Sequence, residues 1–157
     1  MKLRSLLMAV LAGLSSAAYA GHHEASSVEA FIAEFFELFN TTTLEQNPEQ
    51  SFTFPAVFIN DGKVRVINNA SEKVFDYKVI KATGWAYTKP INVSVLYEGK
   101  KSAMALVEFN RYRKDDSLMS TTKVVYTLSM TDAGWKVVGV SIPVSYTHLT
   151  LPTMYTV

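Results

Sequence analysis

The stretch GWAYTKPINVSVLYEG, Gly84 to Gly99, is where the period of the chain changes, and its reading decides the fold. Upstream, apolar residues recur every three or four positions. From Trp85 onward, apolar and polar residues alternate, and Val, Tyr and Thr dominate. Period two with those residues marks a strand, because successive side chains of a strand leave opposite faces. Three further stretches share the habit: SAMALVEFNRYR from Ser102, TKVVYTLSM from Thr122 and GWKVVGVSI from Gly134. YEGK and TDAG are turn signals between them, and RKDDSLMS, Arg113 to Ser120, is a longer polar connection. Four long antiparallel strands are predicted.

Working back toward the N-terminus, the period is helical. Val28, Phe31, Ile32, Phe35, Phe36 and Phe39 form one apolar stripe. Ser26 with Glu29 is a capping-box pattern at its start, and Asn40 with the threonines after it ends it. A shorter helical piece around Leu44 to Glu49 is predicted next, then an extended apolar stretch, FTFPAVFI. NDG at Asn60 to Gly62 is a tight-turn signal, and KVRVI alternates like a strand. A second helix is predicted from an Asn69 cap and a Glu72 box, burying Val74, Phe75, Tyr77 and Ile80 and ending at Gly84. Helix, short helix, strand pair, helix and long strands make an α+β order. No internal repeat or low-complexity linker divides the chain.

This order resembles the nuclear transport factor 2-like superfamily, in its SnoaL-like branch. The features that carry the resemblance are the RY…D strand end at Arg111, Tyr112 and Asp115, the Tyr126-Thr127-Leu128 strand and the closing GWKVV from Gly134. It covers Glu24 to Ile142. It implies a cone-shaped roll: a curved, mostly antiparallel sheet wrapped around a long N-terminal helix, enclosing an apolar pocket. It also implies a spread of activities, from ketosteroid isomerases, polyketide cyclases and dehydratases to non-catalytic binding and dimerisation domains, so the fold alone names no function.

The ends of the chain read differently from its middle. Lys2, Arg4, the apolar SLLMAVLAGL and the small-residue AYA at Ala18 to Ala20 lay out a secretory signal over residues 1–20. The apolar run is too short to span a membrane. Export to the periplasm or outside the cell is expected, with a mature chain that starts at Gly21. Val144 to Thr153, VSYTHLTLPT, carries no charge and back-translates to GTC TCT TAT ACA CAT CTG ACG CTG CCG ACG. That string resembles the mosaic end and adapter of transposase-made sequencing libraries, so residues 144–157 read as a non-native tail. One domain over residues 21–143 remains, long enough for a real core.

Composition then narrows the chemistry. Lys2 and Arg4 are two of the 15 basic residues, so the domain carries 13 against 14 acidic ones, a net charge of −1 that argues against nucleic acid. The charge is uneven. Gly21 to Gly62 holds seven acidic and no basic residues, which points to an acidic helix face beside a more basic sheet. There is no cysteine, and outside the tail the only histidines are His22 and His23. A His–Asp base pair, a Ser/His triad, a Cys nucleophile and an interior His-based metal site are therefore excluded from the domain. Glu72, Asp76 and Glu108 are the carboxylates weighed as a base, and all three read better as surface charges. The triplets NTT, NAS and NVS match glycosylation sequons, but the leader has a bacterial look.

Two candidate sites remain. Cleavage after Ala20 would leave Gly21, His22 and His23 first, and a free amine, two amides and a third-position imidazole form a copper-binding terminus. No other cofactor is expected, and Cu(II) there would be incidental. Inside the cone, the helix stripe and strand alternation aim Phe35, Phe39, Phe54, Trp85, Phe109 and Tyr126 at one interior, with Arg111 continuing the row Ala105, Val107, Phe109 toward the mouth. Arg111 suits a carboxylate on a small hydrophobic ligand, since the guanidinium fork binds carboxylates bidentately. An ion pair with Asp115, Asp116 or a helix-one glutamate is the commoner fate of such an arginine. The leading expectation is an exported small-molecule-binding domain without a catalytic set, homodimeric through its sheet. A carboxylate-and-tyrosine isomerase, cyclase or dehydratase is the first alternative. An interaction module whose cone is filled by its own phenylalanines is the second.

Overall fold

A computed structural model describes residues 27–143. The leader, the Gly21–His23 copper motif and the tail at 144–157 lie outside the described residues.

Helix α1 runs Val28–Asn40 and buries the expected stripe of Val28, Phe31, Ile32, Phe35, Phe36 and Phe39. Its cap is Ser27, whose Oγ accepts the Ala30 N–H at 3.2 Å. Burying each of those apolar side chains contributes about 1.5–3 kcal/mol, so packing rather than propensity holds this helix. Two short 3-10 turns follow, at Thr43–Glu45 and Pro48–Gln50. The remaining elements are β1 (Phe52–Asn60), β2 (Lys63–Ile67), α2 (Tyr77–Ala82), β3 (Tyr87–Glu98), β4 (Ser102–Tyr112), β5 (Leu118–Thr131) and β6 (Gly134–Ile142).

The six strands form one sheet in the order β2-β1-β6-β5-β4-β3. Only the β1–β6 pairing is parallel; the others are antiparallel. The NDG turn joins β1 to β2 with positive φ at Asp61 and Gly62, the geometry that lets a two-residue loop match strand twist. β4 turns Ala103, Ala105, Val107 and Phe109 inward, and β5 does the same with Val124, Tyr126 and Leu128. This is the α+β architecture the sequence predicts, a curved, mostly antiparallel sheet with an N-terminal helix against its inner face.

Asn40, the last residue of α1, fastens the helix to the sheet. Its Nδ2 donates to the Thr88 carbonyl and its Oδ1 accepts the Thr88 N–H, both at 2.8 Å. The amide thus stands in for a neighbouring strand at one residue of β3.

The second helix departs from expectation. It begins at Tyr77, not Asn69, and its cap is Asp76, which accepts the Val79 N–H at 3.2 Å. Residues 68–76 are irregular instead. Asn69 Oδ1 accepts the Ser71 N–H at 3.0 Å, and Glu72 Oε1 accepts the Asn68 N–H at 3.2 Å. Side chains that satisfy the local backbone in a turn compete with the helical ladder, and here the turn wins.

Candidate functional site

Between α1 and the inner face of the sheet lies a cavity of about 340 Å³. Three α1 side chains, Phe35, Phe36 and Phe39, form its floor. Phe35 meets Tyr126 of β5 at 5.3 Å between ring centroids, and Phe36 meets Phe109 of β4 at 5.4 Å. Phe58 of β1 and Phe75, from the segment before α2, close a third side. Residues of β2 and of β4 line the same space although β1, β6 and β5 separate them. Four strand spacings on a flat sheet would part them by about 19 Å, so the shared cavity requires the sheet to curl.

The polar groups in this aromatic lining are few and directional. Arg111 follows the inward row of β4, and its Nε is buried with no hydrogen-bond partner. The guanidinium lies 5.9 Å from the centroid of the Phe109 ring. No salt bridge reaches it among the described residues. The ion pair expected as its commoner fate is therefore absent. Asp116 instead accepts from the Tyr87 hydroxyl at 2.9 Å, and Asp115 accepts the Ser117 N–H at 3.1 Å and its hydroxyl at 2.7 Å. Alternation explains this. Tyr112, one residue on, points to the other face, stacks on Tyr87 at 4.9 Å and belongs to the side where Asp116 is engaged. Burial lowers the Arg111 pKa from its ordinary value, yet an arginine remains charged at neutral pH.

Tyr126, 5% exposed, is close enough to Arg111 for each to alter the other's proton affinity. Burial pushes its hydroxyl well above the ordinary tyrosine range, with Arg111 pulling weakly the other way. It is a neutral donor at physiological pH. Thr88, 2% exposed, accepts the Trp85 Nε1–H at 2.8 Å on Oγ1, which leaves its own hydroxyl proton available. Across the cavity stand Asn60, Lys63 and Arg65. Arg65 Nη2 donates to the Lys73 and Val74 carbonyls, and the guanidinium lies over the Phe58 ring at 5.9 Å. Among the described residues, the charged ones that line the cavity are Lys63, Arg65 and Arg111, all cations, and none is a carboxylate.

Of the residues the sequence aimed inward, Phe35, Phe39, Phe109, Arg111 and Tyr126 line this cavity, and Phe54 and Trp85 do not. The register of β1 shifts between Phe52 and Val57, which breaks the alternation that would have carried Phe54 inward, and Phe54 stacks on Phe52 instead. Trp85 is one layer back. It packs on Phe39 at 5.5 Å and Tyr77 at 6.1 Å and holds Thr88 through its indole N–H. The cone is not filled by its own phenylalanines; Phe35, Phe36 and Phe39 are its floor. Sequence reasoning missed Phe58, Phe75, Thr88, Lys63 and Arg65. The last two were within reach, since KVRVI places both on the face of Ile67, which is buried. Glu108 lies on the outer face, 3.8 Å from Lys123. Among the described residues no cluster of three His, Cys, Asp or Glu could hold a metal, and no helix is long and apolar enough to cross a membrane.

No curated protein matches the chain. Solved structures do. A candidate ketosteroid isomerase from Shewanella frigidimarina is 15% identical, with a TM-score of 0.52 over 73% of this chain and 92% of that one. An NTF2-like protein with a cystatin-like fold from Novosphingobium aromaticivorans is 16% identical, with a TM-score of 0.56 over 76% and 80%. A protein with a cystatin-like fold from Nostoc punctiforme is 10% identical, with a TM-score of 0.55 over 79% and 92%. At these identities the likeness is one of fold. The sequence itself matches the family described as NTF2-like protein (DUF6841) over residues 23–143, and the chain belongs to that family.

Proposed function

We propose that this protein binds a small, largely apolar acid in its cavity and does not transform it. The observation that carries the reading is Arg111, a partly buried cation that, among the described residues, has no acidic partner and faces an aromatic cavity lined by no carboxylate. The side chains that converge there, Arg111, Tyr126 and Thr88, all have protons to donate, and a carboxylate is an acceptor only. The aromatic floor suits the body of such a ligand. An isomerase of the ketosteroid type needs a carboxylate base as well as oxyanion donors. The donors have a counterpart here in Tyr126 and Arg111, but the base does not, which favours binding over turnover.

The test is a thermal-shift and calorimetric panel of hydrophobic acids and their neutral amides on the wild type and Arg111→Met. Acids should stabilise the wild type, amides should not, and the variant should lose about 1.5–3 kcal/mol of acid binding, roughly ten- to a hundredfold. If amides bind as well as acids, the reading is wrong.

Export and dimerisation belong to the same proposal. The outer sheet face carries exposed Ile59, Val64, Val66, Tyr97 and Met104, which suits pairing of two copies through their sheets. Sedimentation equilibrium of the mature chain should give twice the monomer mass, and Met104→Glu should return it to monomer.

A further inference from the structure

Resting on the acid-binding reading, we infer that the ligand carries a second anionic group at its far end, held by Lys63 on the wall opposite Arg111. The strand pairing argues this independently of the cavity outline. On β2, Lys63 and Arg65 alternate with the exposed Val64 and Val66 and share the face of Ile67, which is 1% exposed. β1 partners Phe58 and Ala56 stand opposite Arg65 and Ile67 in register, and Ala56 is fully buried. Lys63 therefore stands on the inner face at the hairpin end, beside its register partner Asn60.

The two cationic ends lie on different strands, β2 and β4, with three strands between them and the apolar floor of Phe35, Phe36 and Phe39 below. A monoacid seated on Arg111 would leave Lys63 and Arg65 facing the other end of its body with no negative charge among the lining residues. Arg65 is already committed to the Lys73 and Val74 carbonyls. Lys63 makes no salt bridge among the described residues. An elongated apolar or aromatic dicarboxylate meets both ends at once. A monoacid meets one.

Calorimetry on the full chain with matched probes decides the matter: terephthalate against its monomethyl ester, and sebacate against decanoate. Each pair shares a body and differs in the charge at one end. The diacid should bind about fivefold tighter than its mate, the size of a well-placed but solvent-exposed ion pair. That advantage should vanish in Lys63→Met and at about 1 M salt, where the screening length shrinks to about 3 Å. Lys63→Met should weaken the monoacids less than the diacids, because only a diacid places a carboxylate against Lys63. Lys63 is exposed, so its replacement leaves the core untouched. Monoacids that bind while diacids gain nothing, or a diacid advantage that survives Lys63→Met, would overturn this inference and leave acid binding standing. Failure of every acid to bind would bring down both.

Discussion

Replacing Arg111 with methionine should make the ligand-free protein more stable, an unusual direction for a residue in the interior of a fold. The Arg111 Nε is buried and makes no hydrogen bond. Leaving a buried donor unmade costs about 1–3 kcal/mol. Against that, the guanidinium over the Phe109 ring, 5.9 Å from its centroid, contributes about 0.5–1 kcal/mol. Methionine keeps most of the aliphatic stem that packs along the row of Val107 and Phe109, and it brings no polar hydrogen to satisfy. The net gain is about 1 kcal/mol, or about 4 °C in Tm for a domain of this size. Calorimetric melts of both chains without ligand measure it directly, and the same preparations report acid binding. The pairing of results is diagnostic: higher Tm with lost acid binding identifies a group kept for its ligand rather than for the fold. A fall of several degrees with an unchanged circular dichroism spectrum would refute the reasoning, because it would mean the guanidinium is satisfied in the folded protein.

Asn40→Ala removes both hydrogen bonds to Thr88 and strands a buried N–H, so urea unfolding should show a loss of about 2–3 kcal/mol. Phe35→Ala should cost about 3–5 kcal/mol, because that ring packs against Phe36, Phe39, Phe52, Phe75 and Tyr126 at once. Its Tm and its acid affinity should fall together. Tyr77 and Tyr126 both have pKa values raised above the ordinary 10 by burial, so the folded state holds their protons longer than the unfolded chain does. Their contribution to stability is complete below about pH 10 and is lost as pH rises toward the folded values. Tyr126→Phe should flatten the alkaline fall in stability measured by urea titration; an unchanged slope would show that Tyr126 is not held neutral by the fold.

How much of this was legible in the sequence differs from one element to the next. The stripe from Val28 to Phe39 and the alternation after Trp85 are periodic over long runs, and both appear where the periods put them. Asn69 and Glu72 misled because a capping box and an Asx turn use the same residues at the same spacing. Only the surrounding chain chooses between them. Phe54 was lost to a register shift in β1 between Phe52 and Val57; Pro55 inside it signals an irregularity but not which side chains it redirects. Lys63 and Arg65 were overlooked although their face was readable, because charged residues on an edge strand are ordinarily solvent-facing.

By itself the sequence determined the α+β class, the inward faces of α1, β4 and β5, the absence of cysteine, and the confinement of the domain's histidines to His22 and His23 at its N-terminal end. These are local or compositional properties, carried by periods of 3.6 and 2 and by simple inventory. Tertiary structure alone decided that a cavity stays open above the helix, that Arg111 meets no acid among the described residues, and that cations from β2 and β4 share that cavity. Those facts depend on how far a six-stranded sheet curls and on which side of β4 the acids of the following turn fall. Neither is encoded in any short window. Both arise when strands far apart in the chain are brought into register.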